Sequence, residues 1–314
     1  MRILVTGGAG FIGSHVAEAF IAGGHEVAIV DDLSSGHNDN VPAGVTLYEC
    51  DIRDTGLEDV FAKVRPEVVS HHAAQISVQA SIDEPRLDAS INVEGSVNLL
   101  ECARAAGVRK VLYASTGGAL YGEPGYLPCD EEHPIAPLSH YGVSKYVMEL
   151  YLSLYQRLYG LDYTILRYPN VYGPRQDPHG EAGVVAIFIG RMLSGEPVTI
   201  YGDGEQTRDF VYVGDIARAS IAALTEASGA SINLGSNRGS SVNEVFQTLA
   251  AITDYRHEAN YAPPRRGDIY QIALTGSRAK EILAWEPSVS LLQGLEETVA
   301  SVTRASESAP RTDS

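Results

Sequence analysis

The sequence predicts an α/β protein: a doubly wound parallel sheet followed by a smaller C-terminal α/β lobe. Three observations carry this. Short apolar runs alternate with helical patterns through the first two-thirds of the chain. A glycine-rich turn, Thr6-Gly7-Gly8-Ala9-Gly10-Phe11-Ile12-Gly13, joins the first apolar run to the first helical pattern. Beyond about Gly173 the alternation turns irregular, which marks a change of architecture. The expected division is 1–173 for the sheet domain, with segments returning from the C-terminal part, 174–304 for the lobe, and a disordered tail at 305–314.

Residues 2–6 read as a short buried strand around Ile3-Leu4-Val5, and 11–23 as a helix with Phe11, Ile12, Val16, Phe20 and Ile21 facing inward. A second strand at 26–30 closes on Asp31-Asp32. Further strands fall at 45–48, 67–70, 110–114 and 163–167, with helices at 57–64, 87–106 and 139–159. In the C-terminal part, short strands at 198–201, 210–213 and 231–233 lie between helices and are assigned to the lobe. The tail is small and polar and is expected to be disordered.

At 314 residues the chain has room for one large α/β domain or two unequal lobes. A net charge of −17 argues against nucleic acid and anionic membrane as partners, and an anionic ligand would need local arginines. No apolar run is long enough to span a membrane, and the chain enters a strand at once, so neither a membrane segment nor a secretory leader is expected. Cys50, Cys102 and Cys129 are odd in number and share no metal-ligand spacing; reduced thiols in a cytoplasmic protein are the plain expectation. His71 and His72, adjacent on a strand, would face opposite sides, which disfavours metal ligation there. No metal site is expected.

The glycines recur as Gly7-x-x-Gly10-x-x-Gly13. Gly7 and Gly8 permit a tight strand-to-helix turn, Gly10 lets a pyrophosphate approach the backbone, and Gly13 lets the helix pack closely on the strand. The helix N-terminus then offers N–H groups and positive potential to the anion. A strand before, a helix after and an acidic residue at the tip of the next strand are the context of a Rossmann dinucleotide site. Asp31 is the expected ligand of the adenosine ribose diol, and its charge favours NAD over NADP; Asp32, Ser35 and Gly36 follow in the same turn. The alternative is that Asp31 and Asp32 merely cap that turn. Ligands in such sheets sit beyond the carboxyl ends of the strands. Asp51-Ile52, Ala73-Ala74-Gln75, Ser115-Thr116 and Pro169-Asn170 are therefore further candidates.

Tyr141-Gly142-Val143-Ser144-Lys145 supplies the chemistry. A phenol titrates near pH ~10 and is a poor base at neutrality. Lys145, one helical turn on, would lie on the same face and, together with an oxidised nicotinamide ring, lower the Tyr141 pKa. Tyr141 would then take a proton from a substrate hydroxyl. Among five tyrosines in this helix, only Tyr141 has the lysine partner. The strand ending at Ala114 delivers Ser115 and Thr116, either of which could hold the reacting hydroxyl; Thr116 is favoured.

With these residues in place, the chain resembles the extended short-chain dehydrogenases/reductases, in the NAD-dependent epimerase/dehydratase branch that contains the bacterial UDP-glucose 4-epimerases. The matching motifs run from T-G-G-A-G-F-I-G at 6–13 through D-D-L-S-S-G at 31–36, H-A-A-Q at 72–75 and S-T-G-G-A-L-Y-G at 115–122. They continue with Y-G-V-S-K at 141–145, R-Y-P-N-V-Y-G-P at 167–174, Y-G-D-G-E-Q-T-R-D-F-V-Y-V at 201–213 and R-R-G-D at 265–268. The resemblance implies an NAD site lined by Phe11, Ile12, Asp31, Asp51, Ile52, Ala73, Gln75, Asn92, Tyr141, Lys145 and Pro169. It implies a nucleotide-sugar site with Asn170, Val185, Tyr201, Arg208, Arg265 and Asp268, in which the arginines meet the pyrophosphate.

Related dehydratases carry Asp-Glu after the threonine, where this chain has Gly117-Gly118. Without that carboxylate, oxidation and re-reduction of one carbon is favoured over elimination. The implied activity is a UDP-hexose 4-epimerase interconverting UDP-glucose and UDP-galactose. UDP-N-acetylhexosamines or UDP-uronates are alternative substrates, with Ile272 expected beside the hexose. A non-catalytic dinucleotide sensor on the same fold would usually have lost the tyrosine or the lysine. Homodimerisation through 87–106 and 139–159 is also implied.

Overall fold

The computed structural model describes residues 1–178, 183–265 and 269–308. In chain order the first part contains β1 (Arg2–Thr6), α1 (Phe11–Ala22), β2 (Glu26–Asp31), β3 (Thr46–Glu49), α2 (Leu57–Val64), β4 (Val68–His71), α3 (Val78–Asp83) and α4 (Pro85–Ala89). Then come α5 (Ser96–Ala105), β5 (Lys110–Thr116), α6 (His140–Tyr159) and β6 (Asp162–Tyr168). The second part begins with β7 (Asn170–Tyr172), α7 (Val184–Leu193), β8 (Thr199–Tyr201), β9 (Thr207–Arg208), β10 (Phe210–Tyr212) and α8 (Val213–Ala223). It ends with β11 (Ala230–Asn233), β12 (Ser240–Ser241), α9 (Val242–Thr253), β13 (Asn260–Ala262), α10 (Ser277–Leu283) and α11 (Leu291–Ser308).

The main sheet has seven strands in the order β11-β6-β5-β4-β1-β2-β3, every pair parallel. Parallel strands covered on both faces read as near-continuous apolar runs, which makes them legible in the sequence. On one face α1 and α8 bury Val16, Phe20, Ile216 and Ala219. On the other, α2, α5 and α6 bury Leu57, Phe61, Leu99, Met148 and Leu152. Full burial of a side chain such as Phe20 contributes about 1.5–3 kcal/mol. Ile21, expected inward, is 38% exposed. It lies one helical step past Phe20, and Ala17 fills the position against the sheet instead.

Three other expectations are corrected. The strand at 231–233, assigned to the lobe, pairs with β6 as β11 and extends the main sheet. The single helix expected at 87–106 is broken: Pro85 opens α4, and Ser90–Gly95 widens into a π-helical turn before α5. The tail at 305–314 does not begin where expected, because α11 continues to Ser308; residues 309–314 lie outside the described residues.

The lobe has its own core, with Phe188, Ile189 and Met192 of α7 against Val245 and Leu249 of α9 and Leu295 and Val299 of α11. His71 and His72 do face opposite sides of the sheet, beside Tyr113 and Tyr168 respectively. All three cysteines are free thiols. Among the described residues no helix is long and apolar enough to cross a membrane, and no group of three or more His, Cys, Asp and Glu could hold a metal ion.

Candidate active site

The glycine turn is as tight as its composition demands. Gly7 has φ +67°, and a Cβ there would stand 2.6 Å from the Ala73 amide nitrogen. A Cβ on Gly13 would stand 2.1 Å from the Gly7 carbonyl oxygen. Gly10 is the N-cap of α1, extended at φ −79°, ψ 178°, with no side-chain acceptor bonded to the first-turn amides and no acidic residue in that turn. Phe11 and Ile12 follow as the first helical residues. An uncapped, acid-free helix start is a seat for an anion, so the residues present fit a dinucleotide pyrophosphate.

Asp31 sits at the tip of β2, its carboxylate accepting from the Ala9 and Leu33 amides at 2.9 and 3.0 Å. Burial pushes its carboxyl pKa upward and these two bonds pull it back. Gly36 faces it closely, since a Cβ there would lie 2.7 Å from Asp31 Oδ1. Asp32 instead caps its own turn, accepting from the Ser34 amide and hydroxyl at 3.0 and 2.6 Å, with Ser35 exposed beside it. Asp51 is paired with Arg53 at 2.5 Å, which holds its carboxyl below the usual range, and Ile52 is buried against Gly95.

The loop of Ala73, Ala74 and Gln75 is held by neighbouring side chains. The Ala73 amide donates to Thr6 Oγ1 at 3.3 Å and the Gln75 amide to Asn92 Oδ1 at 2.8 Å. Asn92 Nδ2 donates back to the Gln75 carbonyl at 2.9 Å and to Asp88 Oδ1 at 3.0 Å. Gln75 and Asn92 thus set the path of this loop beneath the glycine turn, and the π-helical turn is where Asn92 reaches across to it.

Beyond the ends of β5 and β6 lies a cavity of about 250 Å³. Thr116, Gly118, Tyr141, Pro169, Asn170 and Arg208 line it, together with Val78, Ala119, Leu138, Ser139 and Ile269. Ser139 caps α6, its hydroxyl accepting from the Gly142 amide at 3.1 Å, which places Tyr141 in the first helical turn. Tyr141 and Thr116 line the same cavity, and Thr116 acts to lower the Tyr141 pKa. Ser115, the neighbour on the other face of the strand, instead donates to buried Glu149 at 2.6 Å. Strand alternation separates the two: Thr116 lines the cavity and Ser115 does not.

In the polypeptide alone, burial dominates both groups. Burial pushes Tyr141 up to about 12, with Thr116 pulling it back. Lys145 is pushed down to about 7 by burial, opposed by the carboxylates of Glu149 and Asp88. Its ammonium stands 4.4 Å above the Tyr113 ring.

The expected substrate residues are only partly brought together. Asn170 and Arg208 line the cavity, the Arg208 guanidinium donating to the Thr207 carbonyl at 2.9 Å. Arg265 stacks over the exposed Tyr201 ring at 4.1 Å. Asp268 lies outside the described residues. Val185 is buried in the lobe core, and Ile272 packs with Tyr121 and Leu274; the isoleucine that lines the cavity is Ile269. Val78, Leu138 and Ile269 come from distant segments and carry no sequence signal. Ser139 does carry one, as a serine three residues before the Gly142 amide it caps.

A phosphate-seating glycine turn, an acid at the second strand tip and a Tyr–Lys–Thr set beside a sugar-sized cavity define a short-chain dehydrogenase/reductase of the extended type. More particularly, the chain belongs to the NAD dependent epimerase/dehydratase family, whose model matches residues 3–235, and NAD is its cofactor. It is similar to the UDP-glucose 4-epimerase of Mycolicibacterium smegmatis, 45% identical over 95% of this chain and 97% of that one. The solved UDP-glucose 4-epimerase of Thermotoga maritima, with UDP-glucose, superposes at a TM-score of 0.95, 50% identical over 97% of this chain and 99% of that one. That of Thermus thermophilus, in complex with NAD, superposes at 0.94, 47% identical over 97% of this chain and all of that one, 100%.

Proposed function

We propose that the protein is a UDP-hexose 4-epimerase that interconverts UDP-glucose and UDP-galactose through a 4-keto sugar. The observation that carries this reading is that Tyr141 and Thr116 line one cavity whose wall is Gly118 rather than a carboxylate. NAD, when bound, supplies reversible uptake of the hydride from C4 of the sugar. Tyr141 takes the proton from the 4-hydroxyl and returns it, and Thr116 holds that hydroxyl in line. Because burial alone raises the phenol, ionising Tyr141 relies on the positive charge of the oxidised cofactor in addition to Lys145. Asn170, Arg208 and Arg265 hold the nucleotide, so binding energy is spent away from the reacting ring and the ring is free to turn over.

On this reading 1–173, with α8, β11 and α10 returning, binds NAD through Gly7, Gly10, Gly13, Asp31 and the 73–75 loop, and the rest of 174–304 binds the nucleotide sugar. Two copies pair through α6, whose outer side carries an apolar stripe of Val143, Leu150, Leu154 and Leu158. Three free thiols fit a reducing, cytoplasmic setting.

The test is to incubate the protein separately with UDP-glucose, UDP-GlcNAc and UDP-glucuronate and to resolve the C4 epimers. UDP-glucose is the expected substrate. Tyr141→Phe should lower kcat by about 10²–10⁴-fold while UDP-sugar binding is largely kept. Retained turnover in that variant would remove the tyrosine from the reaction.

A further inference from the structure

We propose that the buried Glu149–Arg167 ion pair is a positioning element of this site, holding the ends of β5, β6 and α6 in the register that aligns Thr116, Asn170 and Tyr141. The inference rests on the reaction proposed above for its kinetic readout, but not for its geometry.

Glu149 lies on α6 one turn beyond Lys145 and two beyond Tyr141. Its side chain and that of Arg167 are 4% and 6% exposed. The pair is bidentate, Arg167 Nε to Oε1 at 3.1 Å and Nη2 to Oε2 at 2.7 Å. The same carboxylate accepts from Ser115 Oγ at 2.6 Å, and Ser115 is the chain neighbour of Thr116. Ser115 and Arg167 are themselves register partners across β5 and β6. Arg167 Nη1 extends the network, donating to the Tyr121 hydroxyl at 2.9 Å, which donates to Asn233 Oδ1 of β11 at 2.8 Å. One carboxylate thus ties together the three elements that carry the catalytic helix, the substrate-orienting threonine and the Pro169-Asn170 turn.

Stability does not account for such a pair. Taking two charges out of water is costly, and apolar residues of similar volume usually hold a fold as well or better. A bidentate ion pair is directional where apolar packing is not, so it fixes the relative rotation of its segments. The carboxylate also faces Lys145 and favours its charged form. The other titratable groups facing Lys145 and Tyr141 are Asp88 of α4, Tyr113 of β5, and His71 and His72 at the end of β4.

The experiment compares wild type, Glu149→Gln, and the paired replacement Glu149→Leu with Arg167→Met, each as NAD-loaded protein. The single variant leaves the arginine charge buried and unpaired and is the one that can fail to fold; the paired variant removes both charges. In the folded paired variant, kcat for UDP-glucose should fall about 100-fold with KM within a few-fold of wild type, the loss expected for a reacting group displaced by about 1 Å. The Tyr141 phenolate titration, read as the ultraviolet difference against the same protein carrying Tyr141→Phe, should move to higher pH. A folded paired variant with wild-type kcat and an unmoved titration would overturn the proposal. Wild type inactive on every UDP-sugar would overturn the assigned reaction instead, and the titration, which needs no substrate, would still decide the role of the pair.

Discussion

Gly13→Ala is the sharpest test of the cofactor seat, because its consequence follows from three distances. The added methyl would lie 2.1 Å from the Gly7 oxygen, 2.8 Å from the Gly7 carbonyl carbon and 3.1 Å from Gly8 Cα. All three atoms are backbone, so no rotamer change relieves the contact. An ordinary carbon contact is about 3.5–4 Å, so α1 or the turn must move by more than ~1 Å. Either movement opens the pyrophosphate seat and pulls Val16 and Phe20 away from the sheet. Overpacking of this kind costs about 1–3 kcal/mol, and an unyielding backbone contact belongs at the upper end, ~3 kcal/mol. At roughly 2–4 °C per kcal/mol for a large domain, the melting temperature should fall by about 6–12 °C.

Thermal denaturation and the NAD content of the purified protein are the two measurements, and both should drop together. Gly56→Ala is the control: it lies at φ −61° with nothing within 4 Å of its added methyl, so its stability should stay within about 0.5 kcal/mol of wild type. A Gly13→Ala protein that melts like wild type and still carries NAD would refute the close-approach argument.

Two further outcomes follow from the site and its surroundings. Between pH 7 and 9 the unfolded chain protonates Lys145 while the fold, holding it near 7, does not. The cofactor-free protein should therefore gain stability as pH rises through that window, by at most about 1.4 kcal/mol per unit. Lys145→Met should flatten the slope, and parallel curves for the two proteins would contradict the burial argument; Cys102 and Cys129, pushed up to about 11, act in the opposite direction from about pH 8 upward in both proteins alike. On the proposed pairing, wild type should scatter light as two chains and replacing Leu154 and Leu158 with lysine should halve that mass; a single-chain wild type would sink the pairing, and an unchanged two-chain mass would place the contact elsewhere.

The main sheet is readable because its strands are apolar on both faces and its glycines serve one turn. Tyr141 and Lys145 are readable because one helical turn fixes their relation. Other features depend on what the chain meets in three dimensions. Nothing local says that Asn92 reaches to Gln75, so the broken helix at 85–95 reads as continuous. Thr116 is favoured over Ser115 in sequence, and strand alternation supplies the reason by turning Ser115 to Glu149 and Thr116 to the cavity. Asp31 and Asp32 look alike in sequence, yet the first is buried against the Ala9 and Leu33 amides while the second is exposed with one oxygen bonded to Ser34. The depth at which Tyr141 and Lys145 are buried is not visible in the sequence either, since a neighbouring charge can be read from spacing and desolvation cannot.

The return of β11 to the sheet has a practical corollary. The polypeptide crosses between the two bodies several times, so no single linker separates them. Cutting at residue 173 would strip α8 and β11 from the sheet and leave Phe20 and the flank of β6 facing water. A recombinant fragment ending there should aggregate, and limited proteolysis should yield whole protein or small peptides, with no surviving half.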